Sequence, residues 1–319
     1  MAATMNDPLA DVIALLAPRA VFSKGISGAG RWAVRYADFG EPSFCAVLEG
    51  SCRLAVDGAP PLRLEAGDFV LLPATPGFTM SSLEPGVPQR LDPKAAAAAP
   101  GAEVRHGTRG GRPDVRLLGG WFTFASRDAG LLVSLLPAVL HLRGVARMAA
   151  LVGLVDRESR ERRAGRELVL ARLVEVLLIE ALRSAPGAPE ATAASPAASE
   201  EAPPGLLRGL ADARVARALR QMHEQPARPW TVAQLATKAA LSRSAFHDRF
   251  TRAVGVAPME YLLAWRMAKA KALLRERRLG LAEVAERVGY GSASTFSTAF
   301  SRHVGLPPGR FARAEAGDA

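Results

Sequence analysis

The chain has 319 residues, 49% of them hydrophobic, with 41 Lys and Arg against 31 Asp and Glu and only two cysteines. That length predicts two domains; two cysteines exclude a disulfide framework and a zinc signature, and no apolar run approaches the roughly eighteen residues of a membrane span. The charge is divided unevenly: residues 1–205 carry 22 basic and 22 acidic side chains, residues 206–319 carry 19 and 9, so the whole excess of +10 lies in the C-terminal part and predicts a polyanionic partner there.

Nothing near the start reads as an export signal, since Asp7 and Asp11 interrupt the apolar residues and no basic leader precedes them; a cytoplasmic protein with no membrane partner is expected. Leu9, Val12, Ile13 and Leu16 have helical spacing, with Asp7 as N-cap and Pro8 in the first turn. From Arg31 the period becomes two. Trp32–Tyr36, Phe44–Glu49, Cys52–Val56, Pro61–Glu65 and Phe69–Leu72 read as strands, separated by Glu49-Gly50-Ser51, Asp57-Gly58 and Ala66-Gly67-Asp68. Short strands about ten residues apart with Gly/Asp turns predict an antiparallel barrel or sandwich.

Gly67–Phe78 (G-D-F-V-L-L-P-A-T-P-G-F) resembles the second motif of cupin barrels, but Gly77 and Phe78 stand where a metal-binding His would fall, and no His precedes His106. A metal-free, cofactor-free barrel follows, and a metal-dependent cupin enzyme does not. Trp32, Phe44, Phe69, Phe78 and Trp121 are candidates for a ligand pocket or for plain core. Cys45 and Cys52 are candidate redox sensors; without a neighbouring Lys or His to lower a thiol pKa, small buried hydrophobes are the reading that base rates favour. Residues 83–115, rich in Pro, Gly and Ala, read as an excursion between strands, after which Val115–Phe124 returns to strand.

Leu131–Arg143, Arg147–Val155 and Glu167–Arg183 have helical period. The last carries a wider apolar stripe than one small barrel needs, which predicts a covering helix and a homodimer. Residues 184–205, with five Pro and no apolar periodicity, are an interdomain linker by composition. The predicted architecture is α+β: a cupin-like, jelly-roll antiparallel β-barrel with helices over 7–183, a linker, and an all-α domain over 206–313.

That last domain writes one pattern twice. Val232, Leu235 and Ala236 recur 49 residues later as Leu281, Val284 and Ala285; Ser242, Phe246, Phe250, Gly255, Pro258 and Tyr261 recur 50 residues later as Ser292, Phe296, Phe300, Gly305, Pro308 and Phe311. One residue has been added in the turn between. Each copy predicts helix, turn, helix, at about 230–255 and 280–305: Thr231-x-x-Gln234 has the form of a capping box, Ser242 and Ser292 of N-caps, Gly255 and Gly305 of C-caps. A Phe pair four residues apart faces inward in each copy. That leaves Ser244, His247, Asp248 and Thr251 outward in the first copy, and Ser294, Thr295, Ser297, Thr298 and Ser301 in the second. Between the copies, Pro258–Arg275 has no internal breaker and predicts one helix of about 27 Å, a span comparable with the ~34 Å between successive major grooves on one face of B-DNA.

Residues 206–313 resemble the DNA-binding domain of the AraC/XylS family of bacterial transcription regulators, on the two copies just described and the ending G-Y-G-S-A-S-T-F-S-T-A-F-S-R-H-V-G-L-P-P-G-R-F-A-R. Residues 7–183 are similar, less specifically, to the cupin-type sensor domain of a subgroup of that family. Family members often carry Arg where Thr298 stands and Lys or Arg where Ser301 stands. The resemblance implies a transcription activator that binds double-stranded promoter DNA, meets RNA polymerase and responds to a small-molecule or redox signal. Ser244, His247, Asp248, Ser294, Thr295, Ser297 and Thr298 are then expected to read bases, and Arg243, Arg252, Arg266, Lys269, Lys271, Arg275 and Arg302 to contact phosphates. The competing reading is a metal-independent cupin enzyme or isomerase with an appended DNA-binding domain.

Overall fold

The computed structural model describes residues 7–16, 18–38, 40–93, 103–124, 136–161, 163–185 and 203–317, with 95, 133 and 188 between them. The chain divides into two units, 17–125 with 136–194, and 1–16 with 126–135 and 195–319.

The first unit holds eleven strands among the described residues: β1 (Pro18–Ala29), β2 (Ala33–Tyr36), β3 (Ser43–Glu49), β4 (Ser51–Val56), β5 (Leu62–Glu65), β6 (Phe69–Leu72), β7 (Phe78–Ser81), β8 (Gln89–Leu91), β9 (Glu103–Gly107), β10 (Val115–Phe124) and β11 (Leu140–Leu142). They form two sheets of jelly-roll character, β11-β6-β3-β10-β1-β9 and β5-β4-β7-β2-β8. Val34, Leu54, Leu64, Met80, Val70, Leu72 and Leu117 fill the space between them, each at most 4% exposed. Alternation decides which side chains go in: along β4, Cys52, Leu54 and Val56 are buried while Ser51, Arg53 and Ala55 are not. Gly50, with φ of 76°, makes the β3–β4 turn, and any Cβ there would collide with the Asp114 carbonyl.

Three stretches differ from the sequence expectation. β1 was hidden because its Pro, two Ser and two Gly read as loop, yet it lies inside its sheet, antiparallel to β10 from Pro18↔Phe124 to Gly28↔Val115 and parallel to β9 on its other side. The 83–115 excursion contributes β8 and β9 as parallel edge strands; most of Ala95–Gly101 lies outside the described residues. The helix expected over 131–143 is overruled at its C-terminal end: Leu140–Leu142 pairs with β6, with Leu140 and Leu142 buried and His141 turned to Asp68, Nε2 to Oδ2 2.9 Å. Two helices, α2 (Ala146–Arg160) and α3 (Arg166–Arg183), pack on each other and on β1. Leu170, Val174, Leu177, Leu178 and Leu182 make the inner face of α3, while Leu168 and Val176 on its other side are 65% and 42% exposed.

In the second unit, α1 (Pro8–Leu16) starts on Asp7, whose Oδ1 accepts from Leu9 N at 3.0 Å. It packs on α5 (Ala213–Glu224) and α8 (Pro258–Glu276). The remaining helices are α4 (Leu206–Ala211), α6 (Val232–Lys238), α7 (Arg243–Val254), α9 (Leu281–Arg287), α10 (Ala293–Val304) and α11 (Pro308–Gly317). Most of the 184–205 linker lies outside the described residues. The helical unit has two cores threaded by α8: Tyr261, Leu262 and Trp265 serve the first half, Met267, Ala270 and Leu274 the second, all at most 7% exposed. The duplication is geometric as well as sequential. Phe246–Phe250 and Phe296–Phe300 have ring centroids 5.6 and 5.4 Å apart at 59° and 55°. Each pair meets an edge-on aromatic from the next helix, Phe250–Tyr261 at 5.9 Å and Phe300–Phe311 at 5.5 Å, and the second pair also has Tyr290 edge-on to Phe296 at 5.6 Å.

Candidate functional site

Two surfaces carry chemistry: the outer faces of α7 and α10, and a cavity inside the barrel. The first copy is built outward from its caps. Thr231 Oγ1 accepts from Gln234 N at 3.2 Å and Gln234 Oε1 accepts from Thr231 N at 3.0 Å, a complete capping box for α6. Ser242 Oγ accepts from Ala245 N at 3.3 Å and starts α7. With Phe246 and Phe250 wholly buried, the helix period turns Arg243, Ser244, His247 and Asp248 to solvent, where with Val232 they line one shallow recess. His247 Nδ1 lies 3.6 Å from Asp248 Oδ1. Thr251, expected outward, is half-buried, with its Oγ1 enclosed.

The second copy exposes Ser294, Thr295 and Thr298, while Ser297 is half-buried. Its hydroxyls are engaged locally: Ser297 Oγ donates to Ala293 O at 2.7 Å, Thr298 Oγ1 to Ser294 O at 3.2 Å, and Thr295 Oγ1 sits 2.9 Å from the capping Ser292 Oγ. No His or charged side chain stands on α10 before Arg302.

The expected phosphate ligands separate into two groups. Arg243, Arg252 and Arg302 are exposed, the latter two in the last turns of α7 and α10. Lys269 and Arg275 are half-buried along α8, Lys269 Nζ 6.0 Å from the Trp265 ring centre and the Arg275 guanidinium 5.3 Å from that of Phe311. The fold uses the other two as braces instead. Arg266 donates from Nε to Pro226 O at 2.7 Å and from Nη2 to Arg228 O at 2.8 Å, and burial lowers its pKa. Lys271 is 7% exposed, its stem covered and its ammonium 5.9 Å from the Phe311 ring centre.

Sequence reasoning missed the residues that hold α7 in place. Asp212 caps α5 through Oδ1, accepting from Arg214 N and Val215 N, and with Oδ2 takes Arg249 Nε at 2.6 Å, tying α7 to α5. Arg214 Nη1 donates to Ala240 O in the α6–α7 turn at 3.1 Å. His223 is wholly buried: its ring stacks on Trp265 at 3.8 Å, Nε2 meets Tyr261 Oη at 2.7 Å and Nδ1 meets Asp11 Oδ2 at 3.1 Å. Burial lowers the His223 pKa against the opposing pull of Asp11. A lone His beside Met222 on an apolar stripe gives no sequence signal of this network.

The cavity between the two sheets has a volume of about 90 Å³ and is partly open to solvent. Among the described residues Phe22, Phe44, Val70, Leu72, Met80 and Trp121 are part of its wall, and Lys24, Tyr36, Ser43 and Cys45, with the Trp121 indole, are lining side chains with polar atoms. Of the aromatics expected to line it, Phe44, Phe78 and Trp121 do; Phe69 and Trp32 lie in the core around it. Burial pushes the Cys45 thiol well up and the Cys52 thiol up to about 12, so both stay protonated. Among the described residues no three His, Cys, Asp or Glu side chains gather where a metal could sit, and no helix is long and apolar enough to cross a membrane.

Residues 7–185 match the cupin family model and residues 235–314 a helix-turn-helix domain model. An AraC-like transcription regulator of Streptomyces lividans is 39% identical over 316 residues, covering 96% of this chain and 97% of that protein. One of Streptomyces antibioticus is 38% identical over 311 residues, at 96% and 98% coverage. Among solved structures, the DNA-binding domain of AdpA in complex with a target DNA is 29% identical, over 32% of this chain and 93% of that one, with a TM-score of 0.31. The chain belongs to the AraC-like transcription regulators, with a cupin-type N-terminal domain and a C-terminal helix-turn-helix domain that binds DNA.

Proposed function

We propose that the protein is an effector-responsive transcription activator whose specificity rests mainly on α7. The observation that carries this is the convergence of Arg243, Ser244, His247 and Asp248 on one open recess, with the core, the caps and the Arg249–Asp212 pair all holding that face outward. Arg243 and His247 suit guanine edges and Asp248 a cytosine amino group. Ser294, Thr295 and Thr298 of α10 would meet the next groove, since α8, at 19 residues, spans about 28 Å. Arg252, Arg302, Lys269 and Arg275 would engage phosphates on either side.

The cupin-type domain, over 7–183, would hold the signal and pair two chains. Leu168, Val169 and Val176 leave an apolar strip along α3, 42–65% exposed, for the same helix of a second chain. A redox signal is disfavoured by thiols kept protonated, since the thiolate is the reactive species. Among the described residues no His, Asp or Glu lines the cavity, which supports a binding role in the cytoplasm, where promoter DNA and RNA polymerase are. Bound-site mapping in cells, followed by transcription from a mapped promoter with purified RNA polymerase, tests the reading. Discrete sites and a transcript that rises with added protein are expected; uniform binding along the genome would overturn it.

A further inference from the structure

We infer that α10 reads its groove by apolar contact: Thr295 and Thr298 set their methyl groups against thymine methyls, so the part of the site facing α10 carries A·T pairs where the part facing α7 carries G·C. The inference rests on the two-groove reading above and names the bases that the second reader takes.

The hydroxyls come first. Thr298 Oγ1 donates to Ser294 O, one turn back, at 3.2 Å, and Ser297 Oγ donates to Ala293 O at 2.7 Å. A side chain bonded in this way has given its one O–H proton to its own helix and can only accept from outside. Thr295 Oγ1 lies 2.9 Å from Ser292 Oγ, the cap that accepts from Thr295 N at 3.1 Å. Both threonines are nevertheless exposed. With their oxygens engaged in the first turns of α10, what each has left to offer a partner is the methyl on its Cβ.

The register comes second. The 50-residue repeat sets Thr298 where α7 has Asp248, Ser297 where it has His247 and Ala293 where it has Arg243. Guanine shows two acceptors, N7 and O6, in the major groove, and a donor must meet them; α10 carries neither an Arg nor a His at those positions. A T·A pair shows the thymine methyl, O4 and the adenine amino group, which suits a methyl beside an oxygen that accepts. Ser294 adds a hydroxyl that fits either pair and does not decide. Thr295 and Thr298, three residues apart, share a face with their Cβ atoms about 5–6 Å apart. Stacked pairs are about 3.4 Å apart, so the two methyls meet pairs one or two steps from each other.

The test uses the full chain and duplexes carrying a mapped site, with each thymine replaced in turn by deoxyuridine, which deletes the methyl and keeps every hydrogen bond. A fully buried CH₂ contributes roughly fourfold in affinity. A methyl held between helix and groove is partly buried, so a loss of about twofold is expected at each of two positions one or two pairs apart, and about fourfold with both replaced. Thr298→Ser, which keeps the hydroxyl and deletes the methyl, should weaken the thymine duplex about twofold and leave one of the two positions insensitive to uracil. Thr295→Ser should do the same at the other. Thr298→Val, which keeps a methyl and deletes the hydroxyl, should preserve the sensitivity. Unchanged melting temperatures for these exposed positions separate lost contact from lost fold. Where Arg302→Ala still flattens the salt slope, a site with no such uracil-sensitive positions overturns the inference alone, as does sensitivity that survives the Thr295→Ser, Thr298→Ser double variant. If Arg302→Ala and that double variant both bind as the unaltered protein does, α10 is off the DNA and the two-groove reading falls with the inference.

Discussion

The two helix-turn-helix copies share a scaffold and differ in what they present. Their Phe pairs, closing aromatics, Ser caps and left-handed C-cap glycines superpose in kind. So do their turns, where Leu241 N bonds Ala236 O at 3.0 Å and Tyr290 N bonds Ala285 O at 2.9 Å. The first copy, though, accepts a left-handed Ala240, φ 54°, where the second has Gly289 at 84°. It also adds a capping box and an ion pair to α5, while α9 begins on Gly280 without a side-chain cap. Outside, α7 shows a cation, an imidazole and a carboxylate, and α10 shows hydroxyls already bonded to their own helix. Duplication kept what folding requires and let the outward chemistry diverge.

The largest effect that would break the comparison lies in the cores. Phe250→Ala and Phe300→Ala each remove a wholly buried ring, and each should cost about 3–5 kcal/mol in urea unfolding. Only the first should shift tryptophan emission, because Trp230 and Trp265 both sit in the first half and the second core has no Trp. Identical spectral changes in the two variants would mean one cooperative core and not two.

A smaller effect should separate the outward faces. His247→Ala is expected to lower the preference for a mapped site over random duplex by about 10-fold, the 1–3 kcal/mol of a good base contact. Thr298→Ala, which removes a hydroxyl occupied by Ser294 O, should lower it by less than about threefold, below the low end of that range. Competition binding at fixed salt reads both. A larger loss at Thr298 than at His247 would reverse the assignment of the dominant reader.

Most of this scaffold was legible in the sequence because it obeys local rules: caps, Phe pairs at i and i+4, and alternation in β4. What escaped was decided by partners distant in the chain. β1 reads as loop until β10 and β9 flank it, and Leu140–Leu142 reads as helix until β6 lies alongside. α11 needed only the repeat itself, since Pro308–Phe311 matches Pro258–Tyr261 at the start of α8. Of the α7 residues expected outward, Ser244, His247 and Asp248 followed from period alone, while Thr251 is half-buried. Which basic residues of α8 reach solvent did not, because its buried positions run round most of the helix, from Tyr261 and Trp265 to Met267 and Lys271, and a helix packed on two cores has no single polar face to read.

That last point gives the smallest and most selective prediction. If α8 braces the two copies and the exposed arginines at the ends of α7 and α10 hold the backbone, charge removal should sort by exposure, not by position on the basic list. Each phosphate contact contributes about 0.9 to the slope of log affinity against log salt. Arg252→Ala and Arg302→Ala should therefore each flatten the slope by about that amount, with melting temperature unchanged and random and specific DNA weakened alike. Lys271→Ala should leave the slope alone and lower the melting temperature, since its stem fills space beside Phe311. Arg266→Ala should behave as Lys271→Ala does, leaving the Pro226 and Arg228 carbonyls without their donor. A slope loss at Lys271 equal to that at Arg252 would place its ammonium on the backbone beside those of Lys269 and Arg275 and would end its reading as a brace.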